Sequence, residues 1–261
     1  MIVDTFLFND EFEMLDIRLA LTEKYVDKWI ILEGNKTWSW KPKTFNLKEN
    51  IDRYSKYGDR IEVISLDIPK SVTLPNVPKH WIIENFSRMS LQQGIDRLDT
   101  EDIIIHSDLD ENLDPGLVPD IIKLMDDKDK PVACKMHMFF YAFNLQAYRG
   151  WKGSMVARKR MFENPQRLYR GKNHKRKDRS HAVHYPDTAG WHWSWIGTDD
   201  RIRNKVKSCV ETKHWDADKT INNFKELKTE IAINHKCRTR KVDFDYPKEV
   251  MDIIGSSPYW V

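Results

Sequence analysis

Residues 103–112 read IIIHSDLDEN. Ile103, Ile104 and Ile105 have the composition of a strand buried on both faces. Asp108, Asp110 and Glu111 follow at once, and then turn residues. In an open parallel sheet, ligands bind beyond the carboxyl ends of the strands. A strand that ends in carboxylates therefore presents them where a ligand enters. Two carboxylates this close repel each other unless a cation or hydrogen-bond donors stand between them. Oxygen ligands without a neighbouring cysteine suit Mg²⁺ or Mn²⁺. A calcium EF-hand loop fails the text: its sixth position needs Gly and holds Leu113, and its twelfth needs Glu and holds Pro119. The plain alternative is a solvated acidic turn that caps the next helix.

Upstream, strand and helix alternate. IVDTFLF (2–8) is a short apolar strand. Asp10 with Glu13 resembles a capping box, and Phe12, Leu15, Leu19 and Val26 keep helical spacing. WIILE (29–33) and RIEVISL (60–66) are further strands, separated by the polar, aromatic loop GNKTWSWKPK. WIIENFSRMSLQQGIDRL (81–98) sets Ile82, Phe86 and Met89 on one helical face. This alternation predicts an α/β fold, a mainly parallel sheet flanked by helices.

Downstream the pattern changes. Asp114 and Pro115 read as a helix start. VACKMHMFFYAFN (132–144) alternates, with Val132, Cys134, Met136 and Met138 on one face of a half-exposed strand, and WKGSMVARKRMF (151–162) is its expected partner. GWHWSWIG (190–197) alternates again: Trp191, Trp193 and Trp195 on one side, His192 and Ser194 on the other. Helices are expected at about 199–210 and 220–227. One domain over 1–261 follows, a parallel half (1–115) joined to a mixed, partly antiparallel half (116–261).

The chain of 261 residues is 40% hydrophobic, with a net charge of +3. That supports a sizeable core and says little about partners. No apolar run approaches the roughly 20 residues of a membrane span. The start, MIVDTFLFND, lacks the pattern of a signal peptide, so a cytoplasmic protein is expected. Three cysteines without a CxxC predict reduced thiols. Ten tryptophans fit a Trp-rich core or aromatic platforms for sugars and bases.

A D-x-D after a strand in such a sheet is how nucleotide-sugar transferases hold a diphosphate through a divalent cation. FNDEFEMLDIRL, VDKWIILEGNKTWSWKPK, SDLDE and GWHWSW together resemble glycosyltransferase family 17. The matching positions are Glu11 to Leu19, Val26 to Glu33, Glu84 to Arg88, Ser107 to Glu111, Gly190 to Ser194, and more loosely Ser208 with His214. Asn112-Leu113 departs from the Ile-Pro that family members often carry there. The resemblance implies a bacterial or viral type member with a GT-A-type, Rossmann-like fold. It also implies a UDP-sugar donor, most simply UDP-N-acetylglucosamine, a Mn²⁺ or Mg²⁺ cofactor and an inverting displacement on a glycan or glycoconjugate. The nucleotide would bind the 1–115 half and the acceptor the 116–261 half, in the cytoplasm of a bacterium or a virus-infected cell.

Under that resemblance, Asp110 is the first metal ligand, supported by Asp108, with His192 or His214 as a third. Glu33, Phe8, Asn9 and Arg88 stand on the donor side, although Phe8 suits the core, Glu33 a turn cap and Arg88 a solvated helix equally. Asp199 or Asp200, in GTDDRIRNK, is the expected general base, and Glu111 the alternative. Acids at a helix N-terminus also simply stabilise the dipole. Trp191 and Trp193 are candidate acceptor contacts.

The stretch 158–179 holds ten Lys or Arg against Glu163 and Asp178. Lys175, Arg176 and Lys177, near its end, are the candidate anion contacts. It reads either as a solvated loop or as an anion-binding arm for an acidic glycan, a diphosphate or nucleic acid. The competing functions are thus transfer to a glycan, transfer to nucleic acid such as a modified DNA base, and binding of sugar or nucleic acid without catalysis.

Overall fold

The structure is a computed structural model that describes residues 1–147, 150–171, 182–208, 216–225, 232–234 and 237–260. In chain order the elements begin β1 (Ile2–Phe8), α1 (Phe12–Thr22), β2 (Lys28–Gly34), α2 (Asn46–Glu49), β3 (Ile61–Leu66), α3 (Ile82–Ser90), α4 (Gln92–Ile95) and β4 (Ile103–His106). They continue with β5 (Glu111–Leu113), α5 (Val118–Lys128), β6 (Val132–Phe140), β7 (Leu145–Ala147), β8 (Trp151–Arg158) and α6 (Pro165–Gly171). The last are β9 (Val183–Ser194), α7 (Asp199–Ser208), α8 (Ala217–Lys225), β10 (Ala232–Asn234), β11 (Cys237–Lys241) and α9 (Lys248–Ile254).

The fold is α/β, consistent with a GT-A-like architecture. Strands β4, β1, β2 and β3 run parallel in that spatial order. β8 adds to β4 antiparallel and β6 to β8 antiparallel, so one sheet continues across residue 115. β9 lies parallel to β6 and antiparallel to β5. The IIIH strand is buried on both faces, as its composition predicts. Ile103 and Ile105 pack with Val118, Ile121 and Met125 of α5, and Ile104 packs on the other face with Val3, Ile30 and Leu91. Among the described residues, no helix is long and apolar enough to cross a membrane.

Four local expectations change. Asp10 does not cap α1: it adopts φ 64°, and the residue before the helix makes no side-chain cap bond. The 81–98 helix breaks into α3 and α4. On α3, Met89 points outward and Arg88 inward, because that helix borders a polar cleft rather than a dry core. β6 is more buried than a one-sided strand, with Ala133 and Phe139 covered as well, because Leu168 of α6 packs with Ala133 and the aromatic cluster with Phe139.

Candidate active site

The site begins with a buried arginine. Arg18 lies on the same face of α1 as the core residues Met14 and Leu15, and is 2% exposed. A guanidinium there requires buried partners. Its Nε and Nη2 grip the two oxygens of Asp4 on β1, at 2.8 and 2.7 Å. Burial lowers the guanidinium pKa, but Asp4 outweighs it, and the pKa rises. The remaining N–H groups reach across to the turn after β4. Nη1 donates to the carbonyls of Asp108 (2.8 Å), Leu109 (3.2 Å) and Glu111 (2.9 Å), and Nη2 donates to Ser107 Oγ (2.7 Å). One side chain thus fixes the backbone of S-D-L-D-E.

Glu111 completes the brace from inside. It is fully buried. Its Oε2 accepts the Asp108 N–H at 3.0 Å and its Oε1 accepts the Trp151 indole N–H. The carboxylate expected as an alternative base is therefore a structural acceptor. β5 then runs against β9, pairing Glu111 with His192, Asn112 with Trp191 and Leu113 with Gly190. A Cβ on Gly190 would lie 2.1 Å from the Asn112 carbonyl oxygen, so only glycine admits this approach. The pairing brings His192 beside Asp110: Nε2 to Oδ1 is 3.3 Å, and Trp193 N–H donates to the Asp110 carbonyl at 2.9 Å.

These residues line a cleft of about 840 Å³. It opens beyond the carboxyl ends of β1, β2 and β4, where Asn9, Trp38 and Asp108 to Asp110 face it, and is walled by Trp81 to Arg88 and by Thr198 to Lys207. The Asp108 carboxylate is held from α3 and α6. Arg88 Nη2 donates to Oδ1 at 2.6 Å and the Tyr169 hydroxyl to Oδ2 at 2.8 Å, with the guanidinium 3.7 Å above the tyrosine ring. Burial lowers the Arg88 pKa, but Asp108 and Glu84 outweigh it and keep the group charged. Burial and the Asp108 charge both push the Tyr169 hydroxyl up, so it remains a donor. Asp110 faces His192 through one oxygen and Lys205 Nζ, at 3.2 Å, through the other. Burial raises the Asp110 pKa, yet Lys205 and His192 outweigh that and hold it well below the usual carboxylate range.

Sequence expectations divide here. Asn9, Arg88, Asp108, Asp110, His192 and Asp200 all line the cleft. Asp200 is exposed at the rim and pairs with Arg203 at 2.9 Å, while Asp199 is half-buried at the start of α7. Phe8 is core, packed edge-on against Phe12. Glu33 is fully buried: Lys43 Nζ binds one oxygen at 2.7 Å and the Leu47 N–H the other at 2.9 Å, so it caps the turn into α2. Trp191 and Trp193, the candidate acceptor contacts, stack on each other 5.7 Å apart in the core and do not line the cleft. Their alternation does leave His192 and Ser194 facing the cleft. His214, Lys175, Arg176 and Lys177 lie outside the described residues. Of the basic stretch that is described, Arg158 pairs with Asp126, Arg160 with Glu101 and Arg167 with Glu163.

Sequence reasoning gave no role to Arg18, Tyr169, Arg201 or Lys205. Arg18 had a signal, a charge within an apolar helical stripe. Arg201 and Lys205, four apart on α7, form a cationic row. Tyr169 had none.

For a divalent ion, no group of three or more His, Cys, Asp or Glu stands together among the described residues. The chemistry of the donor set still fits in part. Asp110 and His192 offer an oxygen and a nitrogen side by side, and Mg²⁺-type sites commonly take one or two carboxylates with substrate phosphates completing the shell. Asp108 fits less well: Arg88 and Tyr169 hold its oxygens at 2.6 and 2.8 Å, closer than the 3.3 and 3.2 Å of His192 and Lys205 to Asp110.

The family model for glycosyltransferase family 17 matches residues 1–244. The rat and human proteins named beta-1,4-mannosyl-glycoprotein 4-beta-N-acetylglucosaminyltransferase are each 25% identical over an alignment 238 residues long, with 79% of this chain covered. The chain spans 42% of the rat and 43% of the human protein. A match over nearly the whole chain, with the S-D-L-D-E turn and the G-W-H strand meeting at one cleft, places the chain in glycosyltransferase family 17.

Proposed function

We propose that this chain is an inverting glycosyltransferase, dependent on Mn²⁺ or Mg²⁺, that moves N-acetylglucosamine from UDP-N-acetylglucosamine to a hydroxyl of a glycan or glycoconjugate. The observation that carries the reading is the braced Asp108–Asp110 turn, held at the cleft beyond the carboxyl end of β4. The family supports transfer, and the names of the mammalian relatives support the donor sugar. Asn9, Arg88 and Asp108, from the 1–115 half, would meet the nucleotide-sugar. The 116–261 half would supply the acceptor wall.

Asp110 and His192 would hold the cation, with His214 as a further candidate. When bound, the cation neutralises charge on the departing diphosphate. Arg88 and Tyr169 orient Asp108, and the second lone pair on each of its oxygens would accept from a hydroxyl of the donor. Asp200, at the rim, or its neighbour Asp199 would take the acceptor hydroxyl proton. Glu111 is given up as base, since both its oxygens are engaged inside the protein.

Thermal-shift measurements of the chain with a panel of nucleotide-sugars, with and without Mn²⁺, test the reading, because a ligand of the folded state raises its melting temperature. Stabilisation by UDP-N-acetylglucosamine that requires Mn²⁺ is the expected result. A flat response to every nucleotide-sugar in both conditions would overturn it. The Asp110→Asn variant should lose the Mn²⁺-dependent part alone.

A further inference from the structure

Four charged groups meet at one point of the cleft. Lys205 Nζ lies 3.2 Å from Asp110 Oδ2 and 3.2 Å from Glu11 Oε1. The carboxylates come from separate parts of the chain, Glu11 just before α1 and Asp110 just after β4. Arg201, one turn earlier on α7, also reaches Glu11 Oε1 at 3.2 Å. Side-chain exposure is 18% for Glu11 and 10% for Asp110. Two such carboxylates aimed at one spot require positive charge there. In this structure Lys205 supplies it to both carboxylates, and Arg201 to Glu11. A lysine ammonium is a compact charge on a flexible four-carbon stem, and this one borders open cleft.

We infer that Lys205 is an exchangeable countercharge: with Arg201 it balances Glu11 and Asp110 in the ligand-free chain, and it yields them to the divalent cation that accompanies the donor diphosphate, Glu11 then joining Asp110 as a ligand. The inference rests on the metal-dependent reading above and adds Glu11 and Lys205 to it. Two effects of opposite sign follow. Before donor binds, Lys205 competes with the cation and weakens its affinity. Once the cation is in place, its charge offsets the two carboxylates, and the retained ammonium leaves the site net positive. That surplus favours the diphosphate.

Calorimetry on the full chain reads both effects, with Mn²⁺ alone and then with UDP at saturating Mn²⁺. Lys205→Met should bind Mn²⁺ roughly tenfold more tightly and UDP roughly tenfold more weakly, the scale of ordinary coupling between sites. Lys205→Arg, which keeps the charge, should stay near the unchanged chain in both. Glu11→Gln should weaken Mn²⁺ binding, as Asp110→Asn does. A loss of folding would appear as a lowered melting temperature and weaker binding of both ligands, not as opposite shifts. If Mn²⁺ binds and Asp110→Asn abolishes it while Lys205→Met leaves it unchanged, the inference falls and the metal reading stands. If neither the unchanged chain nor Lys205→Met binds Mn²⁺, with or without UDP, both fall.

Discussion

Asp110 has two cationic or ionisable neighbours, and they set its charge. Its carboxyl is pushed up by burial and pulled down further by Lys205 and His192, so its folded pKa lies below the unfolded value near 3.8. A depressed carboxyl contributes stability that is fully present above the unfolded pKa and lost as pH falls through the folded one. The stability difference between the unchanged chain and Asp110→Asn should therefore be constant above about pH 5 and shrink below it. Urea unfolding of both proteins at pH 6 and pH 3 checks this; a gap that widens in acid would refute it. The base assignment is tested at the same scale. Asp199→Asn and Asp200→Asn should leave UDP affinity intact, and one of them should lower transfer by roughly 10²–10⁴-fold. Near-normal turnover in both would remove the base from α7.

Elements position these residues through two devices. Arg18 ties α1, β1 and the turn after β4 into one unit. Arg18→Met leaves Asp4 buried without its partner and the turn carbonyls without donors. Breaking a buried pair on one side costs about 3–5 kcal/mol. The denaturation midpoint should fall accordingly, and Mn²⁺-dependent UDP binding should weaken even where the chain remains folded. A midpoint within error of the unchanged chain would show that the turn holds without Arg18. The second device is the contact of β5 with β9. In Gly190→Ala the new methyl meets the Asn112 carbonyl, so the strands must separate and His192 moves from Asp110. Overpacking of this kind costs about 1–3 kcal/mol, and the same assay reads it. A variant as stable as the parent would mean that the backbone there yields freely.

At the scale of the whole molecule, the question is which charges of the basic stretch already have partners. Arg158, Arg160 and Arg167 have acidic partners, which offset part of the positive charge of the basic stretch. A glycan acceptor then predicts binding with almost no salt dependence. Nucleic-acid binding would fall steeply, because each neutralised phosphate releases counterions; about four to six contacts give a log–log slope of roughly −3 to −5. A labelled oligonucleotide at 50 and 200 mM salt should show no binding to the unchanged chain. Salt-sensitive binding lost when Lys175, Arg176 and Lys177 become Ala would shift the acceptor to nucleic acid.

The sequence by itself determined the α/β alternation, the doubly buried Ile103–Ile105 strand with its acidic end, and the facing of His192 away from Trp191 and Trp193. These follow from local periodicity and from where a parallel strand must stop, and neither needs long-range information. It left open whether each polar residue was spent inside the protein or offered to a ligand. Glu33, Glu111 and Asp108 look alike in the text. Only the tertiary structure decided that Glu33 caps a turn, that Glu111 braces Asp108 from within and that Asp108 is held by Arg88 and Tyr169. The deciding partners, Lys43, Trp151 and Tyr169, lie 10, 40 and 61 residues away. A carboxylate's role is set by which donors reach it in space, and spacing along the chain carries no record of that.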